Sequence, residues 1–298
     1  YYGNPLAVVL DGSGLDDAAM QRFAVWTNLS ETTFLLPPTD PAADYSVRIF
    51  TPGGELPFAG HPTLGSCHSW LQAGGQPKSD KFIVQQCKQG LVRIRRDPST
   101  GSGQAGGKLA FAAPALKRTP PSPVLLAQVA SSMGIKASQI IAAQLLDNGP
   151  VWLGLLLDSP DTVLQIQPDH AGLLKLGAKV GVAAIYPAEE KPALIGRANR
   201  EAQAFQTEAK TQTPEPAPNL EVRAFAAAIG INEDPVTGSL NASLAQWLIA
   251  EGHLPETYLA SQGICLGRAG QVFIERDELG QVWVGGESVT CINGSVAL

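Results

Sequence analysis

The sequence predicts an α/β (α+β) protein of two pseudo-symmetric lobes, each a strongly curved, mostly antiparallel sheet or barrel wrapped around one central helix. Three observations carry that expectation: one supersecondary plan occurs twice along the chain, each copy contains a helix without a polar face, and strand-forming segments flank that helix in both copies.

The repeat is visible as short matches that keep one order. Val47-Arg48-Ile49-Phe50 is echoed by Val222-Arg223-Ala224-Phe225, and His61-Pro62-Thr63-Leu64-Gly65-Ser66 by Asp234-Pro235-Val236-Thr237-Gly238-Ser239, 173 residues later. Trp70-Leu71 matches Trp247-Leu248 at 177, and Gly90–Asp97 matches Gly270–Asp277 at 180. Phe34–Pro37 matches Ala184–Pro187 at 150. Offsets that drift slowly upward describe loops lengthening around two copies of one unit.

The elements follow from periodicity. Leu6–Leu10 is a short apolar strand, and Asp16–Thr27 has helical spacing behind an acidic first turn. Thr32–Leu36 and Tyr45–Phe50 read as strands, and Pro62–Ala73 as a helix closed by Gly74-Gly75. Phe82–Gln86, Leu91–Arg95 and Lys108–Phe111 continue as strands. The second copy predicts strands at Val151–Leu157, Val182–Tyr186, Glu221–Phe225, Gln271–Glu275 and Gln281–Val284, with its helix at Pro235–Glu251. Both central helices are apolar and rich in small residues, so each is expected to be enclosed on most sides. Thr119–Pro123 reads as the linker, and 98–108 and 211–219 as breaker-rich surface loops. The expected division is 1–115 and 116–287.

Composition narrows the function. A chain of 298 residues with 44 % hydrophobic and 16 % charged residues suits two globular cores, and no apolar run is long enough for a membrane span. Net charge −6 without a basic stripe argues against a nucleic-acid partner. Cys67, Cys87, Cys265 and Cys291 are scattered rather than paired, which suits small buried thiols in a reducing, cytoplasmic setting. No trio of His, Asp or Glu has metal-ligand spacing, so no metal is expected, and no glycine-rich segment stands between a strand and a helix as a phosphate loop would.

The central helices each carry proline at the expected first position, Pro62 and Pro235, with Gly60, Gly65 and Gly238 nearby. Unpaired N–H groups and the positive helix end make such a start an anion site. Two of them facing each other would converge on one carboxylate-bearing ligand. Asp234 before Pro235 also fits an ordinary helix cap. A single active site must break the symmetry of a duplicated chain, so the differences between copies are informative. His61 falls where Asp234 falls, and Glu31 falls opposite Gly181. Glu31 introduces an apolar strand, and a carboxyl partly buried there is one that takes and gives protons near neutrality; a surface strand-start residue is the alternative. His68 reads as a packed histidine, and His170 and His253 have no partner pattern.

With these residues on the page, the sequence resembles the PhzF-like family, the phenazine-biosynthesis isomerase group within the diaminopimelate epimerase fold. The matching segments are Gly3–Asp11, Asn28–Phe34, Val47–Gly65 and Glu233–Ser239, spread over essentially the whole chain. In such proteins a strand precedes the segment at Gly3, so residues upstream of Tyr1 are expected. The resemblance implies a cofactor-independent isomerase, with Glu31 as general acid/base, His61 and Asp234 orienting the substrate and assisting proton transfer, and Ser30, Gly60, Gly238 and Ser239 contacting the ligand. It implies a cleft between the lobes, a C-terminal segment, 288–298, that returns to the first lobe, a small carboxylated metabolite as the partner and a homodimer as the assembly. The related epimerases use two cysteines at the helix mouths; Ala59 and Asp234 look equivalent here, which disfavours cysteine-pair racemisation. A non-catalytic metabolite-binding protein on the same scaffold is the rival reading.

Overall fold

The computed structural model describes residues 2–96, 108–187 and 217–298, so the two expected loops lie largely outside the described residues. The first copy runs β1 (Leu6–Val9), α1 (Asp17–Thr27), β2 (Glu31–Leu36), β3 (Tyr45–Thr51), β4 (Gly54–Leu56), α2 (Gly60–Gln72), β5 (Ile83–Cys87), β6 (Gly90–Arg96) and β7 (Leu109–Ala112). Then come β8 (Lys117–Thr119), α3 (Pro123–Met133) and β9 (Ile140–Asp147). The second copy runs β10 (Val151–Leu157), α4 (Pro160–Gln165), α5 (His170–Leu176), β11 (Val180–Ile185), β12 (Leu220–Ala226), β13 (Ile231–Asp234), α6 (Gly238–Ala250), β14 (Thr257–Gln262), β15 (Gly270–Arg276) and β16 (Val282–Gly286).

The duplication is written into the sheet. Its hydrogen-bonded order is β1-β2-β3-β5-β6-β7-β16-β15-β14-β12-β11-β10-β9-β8, with β4 on β3 and β13 on β12. Read outward from the central β7–β16 pair, the two sides carry the same strands in the same order: β6 and β15, β5 and β14, β3 and β12, β2 and β11, β1 and β10. Even the parallel pairings match, since β1–β2 and β3–β5 on one side answer β10–β11 and β12–β14 on the other, among otherwise antiparallel neighbours.

Strand alternation then sorts the cores. In β2, Leu35 faces inward to the large cluster with Leu64 and Cys67 of α2, while Phe34 faces outward to Met20 and Ala24 of α1. In β11, Ala183 shares the inner cluster with Leu240 of α6, while Val180, Val182 and Ala184 face a separate outer cluster with Val129 of α3, Val163 of α4 and Leu173 of α5. The enclosure expected of the central helices is present: α2 touches β1, β2, β5, β7 and β16, and α6 touches β9, β10, β15 and β16. Nearly all of α6 is buried.

Three expectations need correction. Pro123 does not belong to a linker but opens α3, with the Ser122 side chain capping the Leu125 N–H and Gly134 ending the helix at φ 67°. Pro62 is the third residue of α2, not the first, because Ala59 is the extended cap and the helix starts at Gly60. The position is still harmless, since first-turn N–H groups have no intrahelical acceptor. Pro235 lies outside α6 altogether: Asp234 ends β13, and the helix starts at Gly238 behind Thr237. At the other end of α2 the glycine stop is as expected, with Gly75 N–H reaching the Trp70 carbonyl, Gly74 N–H reaching that of Leu71, and Gly74 at φ 92°.

The chain beyond β16 has no regular structure. Thr290 Oγ1 donates to Gln72 Oε1 at 2.5 Å and lies 3.0 Å from His68 Nε2, so this tail rests on α2. Among the described residues no helix is long and apolar enough to cross a membrane.

Candidate active site

The starts of α2 and α6 abut. A Cβ added to Gly60 would lie 2.6 Å from the Cα of Gly238, and one added to Gly238 would lie 2.7 Å from the Cα of Gly60 and 3.3 Å from the N of His61. Only glycine on both sides permits that approach. Neither helix has a side-chain cap, so the first N–H groups point out of the helix ends uncapped. In α2 these are Gly60 and His61, because Pro62 has none; in α6 they are Gly238, Ser239 and Leu240. The positions that look out together are thus Gly60 with Gly238 and His61 with Ser239, an offset of 178 rather than the motif offset of 173.

That offset corrects several pairings. His61 and Asp234 share a Pro-x-x-Gly context but not a place in the fold; the counterpart of His61 is Ser239. The residues capping the two mouths are Ala59 and Thr237, so Thr237, not Asp234, is the counterpart of Ala59. Gly65 is not the partner of Gly238: it faces the Leu6 side chain. Nor is Asp234 a cap, because its carboxylate bonds side chains rather than helix N–H groups. The sheet register corrects the partner of Glu31. Leu35 pairs with Val47 in one copy and Ala183 with Val222 in the other, so, with Val47 equivalent to Val222, the residue equivalent to Glu31 is Lys179 (35 − 31 = 183 − 179), not Gly181.

The structure brings Glu31, His61 and Asp234 together. Glu31 opens β2 on the face that carries Thr33, whose hydroxyl accepts from Ser66 of α2 at 2.9 Å, so Glu31 faces the same helix one turn nearer its start. Glu31 is 7 % exposed and its Oε2 lies 3.1 Å from Nε2 of His61; neither buried atom has a well-aligned hydrogen bond among the described residues. Burial opposes a charge on His61, but the Glu31 carboxylate, then Asp234 and the Pro5 carbonyl outweigh it and raise the imidazole pKa. Asp234 is pushed up to about 6, first by burial and then by the charge of Glu31, against the opposing pull of His61 and two hydrogen bonds. Those bonds come from Asn4 Nδ2 to Oδ1 at 2.7 Å and from Thr237 Oγ1 to Oδ2 at 2.6 Å. Three titratable groups whose charges are coupled, set beside two abutting helix ends, can hold an anion and move a proton.

Of the remaining expected residues, Ser30 is half-buried directly before Glu31. Ser239 is buried, and its Oγ accepts from Trp152 Nε1 at 3.1 Å, leaving its own O–H to donate. Sequence reasoning gave no role to Asn4, whose amide also donates to the Val236 carbonyl at 3.0 Å and so ties the first copy to the loop before α6. It also missed Gln262. That side chain accepts from the Thr237 N–H at 3.0 Å and Asn241 Nδ2 at 2.8 Å, and donates to the Asp234 carbonyl at 2.9 Å. Asn4 lies inside the segment at Gly3–Asp11 and was legible there; Gln262, in β14, carries no local signal.

A family model described as phenazine biosynthesis-like protein, PhzC-PhzF, matches residues 1–294. The chain belongs to the PhzC-PhzF family. It is 33 % identical to the fission-yeast (Schizosaccharomyces pombe) protein named antisense-enhancing sequence 1, over 99 % of this chain and 93 % of that one. It is 28 % identical to the trans-2,3-dihydro-3-hydroxyanthranilate isomerase of Pseudomonas fluorescens, over 99 % and 94 %. The crystal structure of a PhzF-family phenazine biosynthesis protein from Enterococcus faecalis superposes with TM-score 0.70 at 25 % identity, covering 100 % of this chain and 94 % of the other. The family is enzymatic and several of the relatives are named isomerases, so this chain is an isomerase-family enzyme with the mixed α/β fold of that family.

Proposed function

We propose that this PhzC-PhzF member moves a proton within a small carboxylated substrate, without a cofactor, by general acid/base catalysis. Glu31 takes a proton from an activated carbon and returns it at another position of the same ligand. His61, its ring 3.1 Å from Glu31, and Asp234 orient the substrate and share the proton's charge. The N–H groups of Gly60, His61, Gly238 and Ser239, with the Ser30 and Ser239 hydroxyls, hold the carboxylate. The observation that carries this reading is the buried Glu31–His61 pair set at two abutting, uncapped helix starts. Enclosure strengthens each of these interactions by lowering the local dielectric. We further assign the lobes to 1–115 with 288–298 and to 116–287, and the protein to the cytoplasm as a homodimer.

The test takes its first substrate from the Pseudomonas fluorescens relative. Trans-2,3-dihydro-3-hydroxyanthranilate is incubated with the protein in deuterium oxide, and isotope incorporation into product is followed by NMR. The parent protein is expected to isomerise it with deuterium uptake, and Glu31→Gln to lose about 10²–10⁴-fold of the rate, the range ascribed to a general acid/base. Undiminished exchange in the variant would rule out the role of Glu31.

A further inference from the structure

Lys179 occupies, in the second copy, the place that Glu31 occupies in the first. Besides the register, the facing directions agree. Gly181 and Ala183 of β11 face Leu240 of α6, so Lys179, two residues earlier on the same face, looks toward the start of α6 as Glu31 looks toward the start of α2. Trp152 lies on the inner face of β10: its neighbour on that face, Gly154, meets Trp247 of α6. The Lys179 ammonium sits 5.5 Å from the Trp152 ring centroid, and the Trp152 indole N–H binds Ser239 Oγ at 3.1 Å. The ammonium therefore stands across one indole ring from the second residue of α6. It is half-buried and takes part in none of the ion pairs formed among the described residues. Burial lowers its pKa, and among the described residues the charge of Asp147, at the end of β9, acts to raise it.

The other side of the abutting helix starts is acidic. Glu31 lies there, 3.1 Å from the His61 ring, while Asp234, bonded to Thr237 at the cap of α6 and to Asn4, is the carboxyl nearer α6. A carboxylate ligand placed symmetrically would meet two like charges, a costly arrangement in an enclosed site. Placed toward α6, it meets uncapped N–H groups and the Ser239 hydroxyl, beside the indole that carries the Lys179 ammonium, with the Asp234 carboxyl there occupied by Thr237 and Asn4.

We propose that Lys179 determines specificity by recognising the anionic group of the ligand, so that the acid is held at the α6 end and the reacting carbons face Glu31. The proposal rests on the reading of this site as one that binds a small acid, and it adds the ligand's direction and the residue that sets it. It also commits the substrate to an acidic group that reaches the α6 end while the exchanging carbons face Glu31.

Binding is measured without turnover, with benzoate and its neutral isostere benzamide as probes, by NMR titration and isothermal calorimetry. The parent protein is expected to prefer benzoate by roughly 10- to 100-fold, the range of a charge-assisted hydrogen bond. Lys179→Met is expected to abolish the preference, Lys179→Arg to retain most of it, and both to keep the parent's melting temperature within a few degrees. On trans-2,3-dihydro-3-hydroxyanthranilate, Lys179→Met raises KM far more than it lowers kcat, the reverse of Glu31→Gln. Benzoate preference unchanged in Lys179→Met overturns the proposal, as does a parent protein that binds neither probe or both equally. Because the binding arm reads no chemistry, a Glu31→Gln variant with full exchange would sink the catalytic reading while leaving this one standing.

Discussion

The contact between the two helix starts makes Gly238→Ala a sharp test of the architecture. The new methyl would sit 2.7 Å from the Cα and 3.2 Å from the C of Gly60, both backbone atoms that no rotamer change can move. Carbon pairs reach their optimum near ~3.5 Å, so relief demands that the two helix starts separate by about 0.8 Å. Overpacking of that kind costs about 1–3 kcal/mol. Alanine's helix preference over glycine returns at most ~1 kcal/mol in a helix interior and less at a first position. The site feels the shift more than the fold does, because a displacement near 1 Å of a catalytic constellation costs about 10²-fold in rate. The assay pairs urea denaturation with deuterium incorporation, for Gly238→Ala, Gly60→Ala and, as control, Gly65→Ala. In the control the methyl meets only the Leu6 side-chain tip, which can turn aside. Both mouth variants are expected to lose stability and most exchange, and the control little of either. A Gly238→Ala protein with parental stability and rate would refute the abutting geometry.

Other perturbations read the charges. The His61 imidazole should titrate above the usual value near 6.5 by NMR and fall back in Glu31→Gln, which removes the carboxylate that raises it. Because its native pKa is raised, the stability it lends is complete below about 6.5 and is lost as pH rises through the native value; Asp234, raised to about 6, acts in the same direction at lower pH. Denaturation midpoints should therefore fall from pH 5 to 8 more steeply in the parent than in Glu31→Gln. Asn4→Ala removes a donor that holds Asp234 down, so the Asp234 carboxyl should titrate above about 6 by carbon NMR. Arg223 is 4 % exposed, grips Glu233 through two bonds at 2.8 Å and also donates to the Val163 and Ile166 carbonyls. Arg223→Met should cost about 3–5 kcal/mol by leaving Glu233 buried and unpaired, and adding Glu233→Gln should restore part of it.

Much of this was legible in the chain. Periodicity found α1 and most of the strands of both copies, because alternation and helical spacing are local consequences of which face is buried. The Ser122-Pro123 start and Gly134 stop of α3 were written just as plainly, beyond a stretch read only as a linker. The helix starts were misplaced for a physical reason. His61-Pro62 and Asp234-Pro235 are alike as letters, but the first proline lies inside a helical turn and the second on the connection from β13. Proline fixes its own φ at a helix start or just before one, and so cannot say which. Glu31 was found because a carboxyl opening an apolar strand violates a local rule, and such violations gather at functional sites. Lys179 breaks no local rule, since a lysine before a strand is ordinary, and it acquires meaning only through the register.

The sequence alone determined what is decided within a few residues: the duplication, the apolar central helices, the glycine stop of α2, the carboxyl at the head of an apolar strand and the family motifs. The tertiary structure alone decided which residues of the two copies correspond, that Gly60 and Gly238 touch, that Asn4 and Gln262 hold the residues around Asp234, and that a lysine stands opposite the acid. Apart from the Gln262 contacts, which span 21 to 28 residues, those facts depend on strand register and helix contact between segments well over a hundred residues apart. No local preference encodes that distance; only the packing of the whole sheet around both helices fixes it.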